Sequence, residues 1–293
     1  MEVHLVDGTY ELFRHHFALP SHVTAEGVEV AATRGVLGSV LRMIENGATH
    51  VGVATDRIVE SFRNDLFAGY KTGEGIPPEL FAQFPLVEAV LEAAGFVVFP
   101  MVEFEADDAL AAAALRAAKD PRVERVLVCS PDKDLAQCVT DDGRIMQFDR
   151  RQGILYDRAG IVEKFGVPPA AIPDWLALVG DAADGIPGLP GWGAKSSSIL
   201  LSCYGHLEAI PVDPEDWEVT VRGAAKLGAT LAENRDEVLL YRYLATLDPA
   251  APVMSHVDEL AWQGPLDHLG DLCAHLDAPR LAERAVALAE RGS

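Results

Sequence analysis

The chain is 293 residues long, 49% apolar and 24% charged, enough for a full hydrophobic core and unlike a disordered sequence. Its 24 basic and 45 acidic residues leave a formal charge of −21. That balance argues against coating nucleic acid by bulk positive charge and leaves a local basic patch or carboxylate-bound cations as the routes to a polyanion.

The chain opens acidic, Met1-Glu2-Val3-His4-Leu5-Val6-Asp7-Gly8, and enters a short strand at once, unlike a secretion signal. No apolar stretch approaches the length of a membrane span, so a cytoplasmic protein with no membrane partner is expected. Short Val-rich runs at 3–6, 51–55, 96–99 and 126–130 are apolar at successive positions, as strands buried on both faces of a parallel sheet are. Helical patterns at 30–45, 78–94 and 107–119 lie between them. This alternation predicts an α/β fold, a mostly parallel twisted sheet with helices on both faces.

After Asp149 a last strand at 154–156 and short helices at 158–165 and 173–179 are expected. A Gly/Pro-rich stretch, 185–193, is followed by helical segments near 195–203, 219–233 and 236–244. Val167-Pro168-Pro169 interrupts the pattern and sets the expected domains at 1–168 and 169–293, the second mainly helical. Cys129, Cys138, Cys203 and Cys273 contain no CxxC pair, so neither a disulfide framework nor a structural zinc site is expected.

The acids fall at strand ends. Asp7, Asp56, and Asp132 with Asp134 follow three of the strands, and Glu105, Asp107 and Asp108 open the helix after the fourth. Asp181 and Asp184 precede the Gly/Pro stretch. Any one of them is explained by helix capping or a turn. Capping needs one acid per helix, however, and leaves the doublets unexplained. In an open parallel sheet, strand ends converge on one crevice, and nine acids there tolerate one another only with cations. All-oxygen ligands suit Mg²⁺, with Mn²⁺ as a substitute, and two such ions hydrolyse phosphodiesters.

Several stretches carry a family resemblance: Leu5-Val6-Asp7-Gly8 with Arg14, Ser61-Phe62-Arg63 with Tyr70-Lys71, Glu105-Ala106-Asp107-Asp108 and Ser130-Pro131-Asp132-Lys133-Asp134. Leu178 to Gly188 and Gly191-Trp192-Gly193-Ala194-Lys195 continue it. The chain resembles the structure-specific 5′ nucleases, which include the 5′→3′ exonuclease domain of bacterial DNA polymerase I and the flap endonucleases. The likeness spans about residues 3–250, in a stand-alone form. It implies a PIN-like nuclease domain with a helical arch near 70–95, then a helix–hairpin–helix (H3TH) element near 173–203.

By similarity, Asp7, Asp56, Glu105 and Asp107 would hold one Mg²⁺ and Asp132, Asp134 and Asp181 a second. Asp107 would bridge the two, with Asp108 and Asp184 in support. Lys71 would meet the scissile phosphate, and Arg63 and Arg14 would place substrate phosphates. Tyr70, Gly188, Gly191, Gly193, Lys195 and Ser196 would contact DNA, and the hairpin would take K⁺. The implied activity is that of a Mg²⁺-dependent 5′→3′ exonuclease and flap endonuclease, a monomer acting on DNA with 5′ ends or flaps. A DNA-junction binding protein with little turnover and a PIN-type ribonuclease remain open as alternatives.

The chain departs from the family pattern at Glu74, where the family has Arg, and at Ala183, Gly185 and Ser196. Residues 57–100 hold three basic side chains (Arg57, Arg63, Lys71) against six acids, so the expected arch sums to −3 where a single strand wants a positive funnel. DNA binding is therefore expected to be weak and steeply salt-dependent. Flap affinity titrated against salt tests this; parity with a basic family member at equal salt refutes it.

Overall fold

The run ending in Asp7 forms β1 (Glu2–Asp7), and Asp7 at once caps α1 (Gly8–Ala18) by accepting the Tyr10 amide at 2.8 Å. Then come α2 (Ala31–Glu45), β2 (His50–Asp56), α3 (Phe62–Leu66), α4 (Pro78–Phe81) and α5 (Phe84–Ala93). They are followed by β3 (Val97–Met101), α6 (Ala106–Ala117) and β4 (Arg125–Cys129). The computed structural model describes residues 1–292, which divide into two units. The first holds 1–61, 73–130 and 248 onward; the second holds 62–72 and 131–247.

In the first unit β3, β2, β1 and β4 lie side by side, all parallel, with Val3 opposite both His50 and Val126, and Gly52 opposite Val97. Leu5, Val6, Val53, Val126 and Val128 are fully buried, as the unbroken apolar runs require. Gly8 has to be glycine: a Cβ there would lie 2.8 Å from the Ala54 carbonyl oxygen, so the helix after Asp7 starts tight against β2.

Pro85 splits the helix expected over 78–94. Inside a continuous helix its ring would clash and it could not donate to the preceding turn. The chain instead restarts at Phe84, with Pro85 in the first turn of α5. The stretch expected as a helical arch therefore contains a core helix, since Phe84, Val87, Val90 and Leu91 of α5 are buried. The chain beyond Asp248 also returns to this unit, where the expected division had placed it in a second domain. The Trp262 amide donates to Thr49 O at 2.8 Å and its indole to Ala94 O at 2.8 Å, while its ring stacks on Phe96.

The second unit holds a 3₁₀ turn (Asp134–Cys138), β5 (Ile145–Asp149), β6 (Ile154–Tyr156), α7 (Arg158–Phe165), α8 (Ile172–Val179), α9 (Ala194–Tyr204), α10 (Ala224–Glu233) and α11 (Arg235–Ala245). In the first unit, α12 spans Leu269–His275 and α13 spans Pro279–Gly292. Strand β5, which the sequence reading does not identify, pairs antiparallel with β6. The helix expected from 219 begins only at Ala224, after Gly223 in a left-handed conformation (φ 77°). Helix α8 packs on α9 and α11 around a core that includes Leu176, Ile186, Leu200 and Val238.

Two residues expected to meet DNA lie in this core. Arg63 is 1% exposed, and its guanidinium donates to Leu244 O at 2.8 Å and Thr246 O at 2.9 Å. It thus satisfies the carbonyls left open at the end of α11, which corrects its expected place on a substrate phosphate. Tyr70 is 3% exposed within the same apolar cluster, so its ring has a packing role.

If α5 is part of the core, Leu91→Ala should cost about 2–5 kcal/mol in chemical denaturation. A change within about 0.5 kcal/mol would instead restore the arch reading.

Candidate metal centre

In the first unit the acids stand at the carboxyl edge of the parallel strands. Asp7 accepts the Ser130 hydroxyl at 2.9 Å in addition to the Tyr10 amide. Asp56, at the end of β2, accepts the Ala106 amide at 2.8 Å, which ties β2 to the first turn of α6. Glu105 accepts the Ser61 hydroxyl at 2.6 Å, and Asp107 follows it, half-buried, in that first turn. Among the described residues these acids do not close into a group of three with the spacing found in the second unit.

Asp108 has a different task. It is 0% exposed; one oxygen accepts the Glu105 amide at 3.0 Å and the other the Asp248 amide at 2.8 Å. It closes a capping box and pins the returning chain, so its lone pairs serve backbone donors. Glu88, which the motifs do not single out, is buried and bonded to both chain neighbours of Asp56. It accepts the Thr55 hydroxyl at 2.8 Å and is forked by Arg57 at 2.9 and 2.6 Å. Both neighbours of Asp56 are thereby fixed. Arg14, half-buried on α1, pairs with Glu11 and contacts the His15 ring at 2.8 Å.

The second unit concentrates its acids. Carboxylate oxygens of Asp134, Asp181 and Asp184 all lie within 4.8 Å of one another. Local chain geometry brings this about. Asp181 and Ile186 exchange both backbone hydrogen bonds, at 2.7 and 2.8 Å, closing a tight loop that carries Asp181 and Asp184. Gly185 in that loop has φ 76°, and a Cβ would meet Gly69 O at 2.0 Å. Glycine is therefore required here, which gives a physical reason for that departure from the family pattern. The Lys71 amide donates to Asp184 O at 3.0 Å on the same side. Asp132 accepts the Asp134 amide at 3.0 Å, and its own carbonyl accepts the Gln147 carboxamide.

Two ammonium groups answer these carboxylates: Lys133 Nζ is 2.7 Å from Asp181, and Lys71 Nζ is 3.0 Å from Asp184. Lys133 lies between two acids of the motif, and that position is the signal the sequence offers for it. Burial opposes its charge, but the Asp181 hydrogen bond and the surrounding carboxylates prevail and raise its pKa. Desolvation, then the charges of Asp132, Asp184 and Asp181, lifts Asp134 well above the ordinary carboxylate range. Asp132, although exposed, has its carboxyl raised by desolvation from the surrounding protein, offset by the Asp134 amide, with Asp184 adding to the rise. Asp134 Oδ1 is buried and has no hydrogen-bond partner among the described residues. An orphaned carboxyl oxygen within a triad of hard donors matches what Mg²⁺ or Mn²⁺ ligation asks for, since a cation can displace the proton.

The hairpin between α8 and α9 lies in the same unit. Gly188 (φ 69°) leaves no room for a Cβ, which would meet Gly180 N at 2.5 Å, and Gly191 (φ 86°) turns the chain at an exposed position. Gly193 precedes α9; its amide donates to the Ser196 hydroxyl at 3.1 Å. Lys195 is exposed in the first turn of α9. Trp192, by contrast, is buried and donates to Leu227 O at 3.2 Å, so it packs the hairpin and does not offer a stacking face.

Two family models cover nearly the whole chain: the 5′-3′ exonuclease N-terminal resolvase-like domain over residues 2–166 and the 5′-3′ exonuclease C-terminal SAM fold over 167–268. DNA polymerase I of Pseudomonas aeruginosa is 35% identical over 266 residues, covering 87% of this chain and 28% of that protein. DNA polymerase I of Mycobacterium bovis is 33% identical over 289 residues, covering 96% and 31%. The chain thus spans under a third of these curated relatives. Among solved structures, the bacteriophage T5 flap endonuclease in a pseudo-enzyme–product complex with DNA and metal ions matches with a TM-score of 0.66 at 19% identity, covering 99% of this chain and 100% of that one. The catalytic core of Rad2 with DNA substrate matches at 0.62 and 15% identity, covering 97% and 91%. These distant matches establish the fold. No described helix is long and apolar enough to cross a membrane.

Because the folded chain holds the Asp134 proton more tightly than the unfolded one, the metal-free protein should lose stability as pH climbs from the ordinary carboxylate range through the raised value. Asp134→Asn should flatten that slope and raise the metal-free melting temperature at pH 7 by roughly 2–4 °C. It should also abolish most of the stabilisation gained from added Mg²⁺ or Mn²⁺. Thermal melts in EDTA and with metal check this, and a lower metal-free melting temperature would contradict it.

Proposed function

Because the chain belongs to the 5′-3′ exonuclease family, we propose that it is a divalent-metal-dependent nuclease that hydrolyses DNA phosphodiesters at 5′ ends and flaps. The observation that carries this reading is the buried, unpartnered Oδ1 of Asp134 inside the Asp134–Asp181–Asp184 triad. In a binding protein, such clustered anions would only repel DNA.

Asp134, Asp181 and Asp184, with Asp132 beside them, are the residues that would hold a cation in the second unit. Asp7, Asp56, Glu105 and Asp107 offer carboxylates at the strand edge of the first. Divalent ions bound there supply a water of lowered pKa and neutralise charge on a phosphodiester.

The remaining work falls to the chain's own side chains. Lys71 and Lys133, each already against a carboxylate of the triad, hold ammonium groups ready to take phosphate oxygens as charge develops on them. Glu88 fixes Asp56 through Thr55 and Arg57. Lys195 and the backbone amides opening α9 offer a modest positive site for a duplex phosphate, in line with the DNA-bound relatives. No side-chain nucleophile is needed, so no covalent enzyme–DNA adduct forms.

The test is a 5′-labelled flap, as DNA and as RNA, incubated in Mg²⁺, Mn²⁺ or EDTA. The wild-type protein should cut the DNA flap only with metal, and Asp181→Ala should lower kcat by at least about 10²-fold while leaving DNA binding in place. Products in EDTA, or undiminished cleavage by the variant, would sink the metal assignment. Retained flap binding without turnover would leave a junction-binding protein, and preference for RNA a ribonuclease.

A further inference from the structure

A cavity away from these acids lies in the first unit, at the far end of α1. It is an open space of about 800 Å³ between the chain leaving α1, the first turn of α2 and the start of α13. Asp7 caps the opposite end of the same helix, and 11 helical residues separate the two ends, about 16 Å at 1.5 Å per residue. The cavity is therefore distinct from the strand-edge acids, and its use does not depend on the nuclease reading.

Its charge runs against that of the protein. In a chain with 45 acidic and 24 basic residues, three cationic or potentially cationic side chains, His22, Arg34 and Arg280, line this one space. Neither Arg34 nor Arg280 has a side-chain hydrogen bond or ion pair among the described residues. One turn beyond Arg280, Arg284 forks Glu45 with both guanidinium arms, so acids are within reach of this helix where pairing is wanted. The lining acid Asp277 is already paired within the cavity, and Glu29, just before α2 in the chain, is satisfied locally. Asp277 lies 3.1 Å from His22 Nε2, and Glu29 accepts the Ser21 hydroxyl and the amides of His22 and Ala31.

The Asp277 backbone supplies an independent sign of a built site. It is the one non-glycine residue with positive φ, 50°, among the described residues. It occupies the left-handed position that ends α12: the Asp277 amide donates to Ala274 O at 3.0 Å and the Ala278 amide to Cys273 O at 2.7 Å. Glycine suits that position best, and an aspartate there carries local backbone strain. What the aspartate adds is its carboxylate, which holds His22 in the cavity lining.

Much of the remaining lining is apolar, with Leu19, Pro20, Ala31 and Leu281 among it. A bare phosphate would leave these apolar residues and most of the volume unused. Two guanidinium groups, each able to fork a phosphate, with apolar lining residues in a cavity of ligand size, fit a phosphate carried on an apolar, planar body.

We propose that this cavity is a binding site for a mononucleotide, a nucleoside 5′-monophosphate whose phosphate is taken by Arg34 and Arg280 and whose base lies against Leu19, Pro20 and Leu281. His22, held by Asp277, closes over it. Nothing in the chemistry of the strand-edge acids requires such a site.

Calorimetric titration of the full chain with deoxyadenosine 5′-monophosphate tests the proposal. EDTA is present so that divalent ions cannot draw the phosphate to the carboxylates. Saturable binding with Kd below about 1 mM is expected, weakened at least about tenfold by Arg34→Gln combined with Arg280→Gln. Inorganic phosphate and deoxyadenosine, titrated separately, should each bind at least tenfold more weakly than the nucleotide. Asp277→Gly suits the left-handed backbone, so its melting temperature should hold or rise while nucleotide binding weakens. Absence of saturable binding overturns the proposal. So does equal affinity for inorganic phosphate, or binding untouched by the arginine substitutions or by Asp277→Gly in variants whose melting temperatures show them folded.

Discussion

The tightest constraint in this protein is the repulsion among Asp134, Asp181 and Asp184. Two unit charges 4.8 Å apart repel by roughly 3–4 kcal/mol at an effective dielectric of about 20. Three such pairs would together rival the whole stability of a typical domain. The chain does not carry that cost in full. Asp134 keeps its proton far above the usual carboxylate range, and Lys133 and Lys71 press their ammonium groups against the other two acids. The triad is thus held at a charge it cannot keep unaided, and a cation can displace a proton and relax it.

The surroundings of the triad serve that arrangement. The two-bond exchange between Asp181 and Ile186, the glycine forced at 185 and the carboxamide of Gln147 against the Asp132 carbonyl fix backbone, so that the side chains have little freedom to separate. Arg63, buried with its donors on the last carbonyls of α11, anchors the segment leading to Lys71. In the first unit Glu88 does comparable work for Asp56. Glu88 does not resemble a functional residue by type and spacing, and Arg63 resembles one of a different kind, a phosphate contact. Both act through geometry that strong, charge-assisted hydrogen bonds hold in place.

Much of this was legible in the sequence. The Val-rich runs foretold parallel strands because a strand covered on both faces has no polar side to alternate, and the acids following them foretold a carboxyl-edge site. Where the reading went astray, tertiary packing decided. Residues 78–94 have helical spacing, but Pro85 and the burial of Leu91 make them two helices, one in the core. The composition of 145–149 gives little sign of a strand until β6 pairs with it. The residues after 248 read as more helix in a C-terminal domain until Trp262 is found stacked on Phe96.

By itself the sequence determined the kinds of element, their order and the supply of carboxylates, because hydrophobic period and residue chemistry are local properties. Tertiary structure alone decided which acids crowd one another, which are spent on backbone amides as Asp108 is, and which arginines are buried as ties or left open to a cavity. Those outcomes depend on distances between residues far apart in the chain, and dielectric and desolvation act through distance, not through order along the sequence.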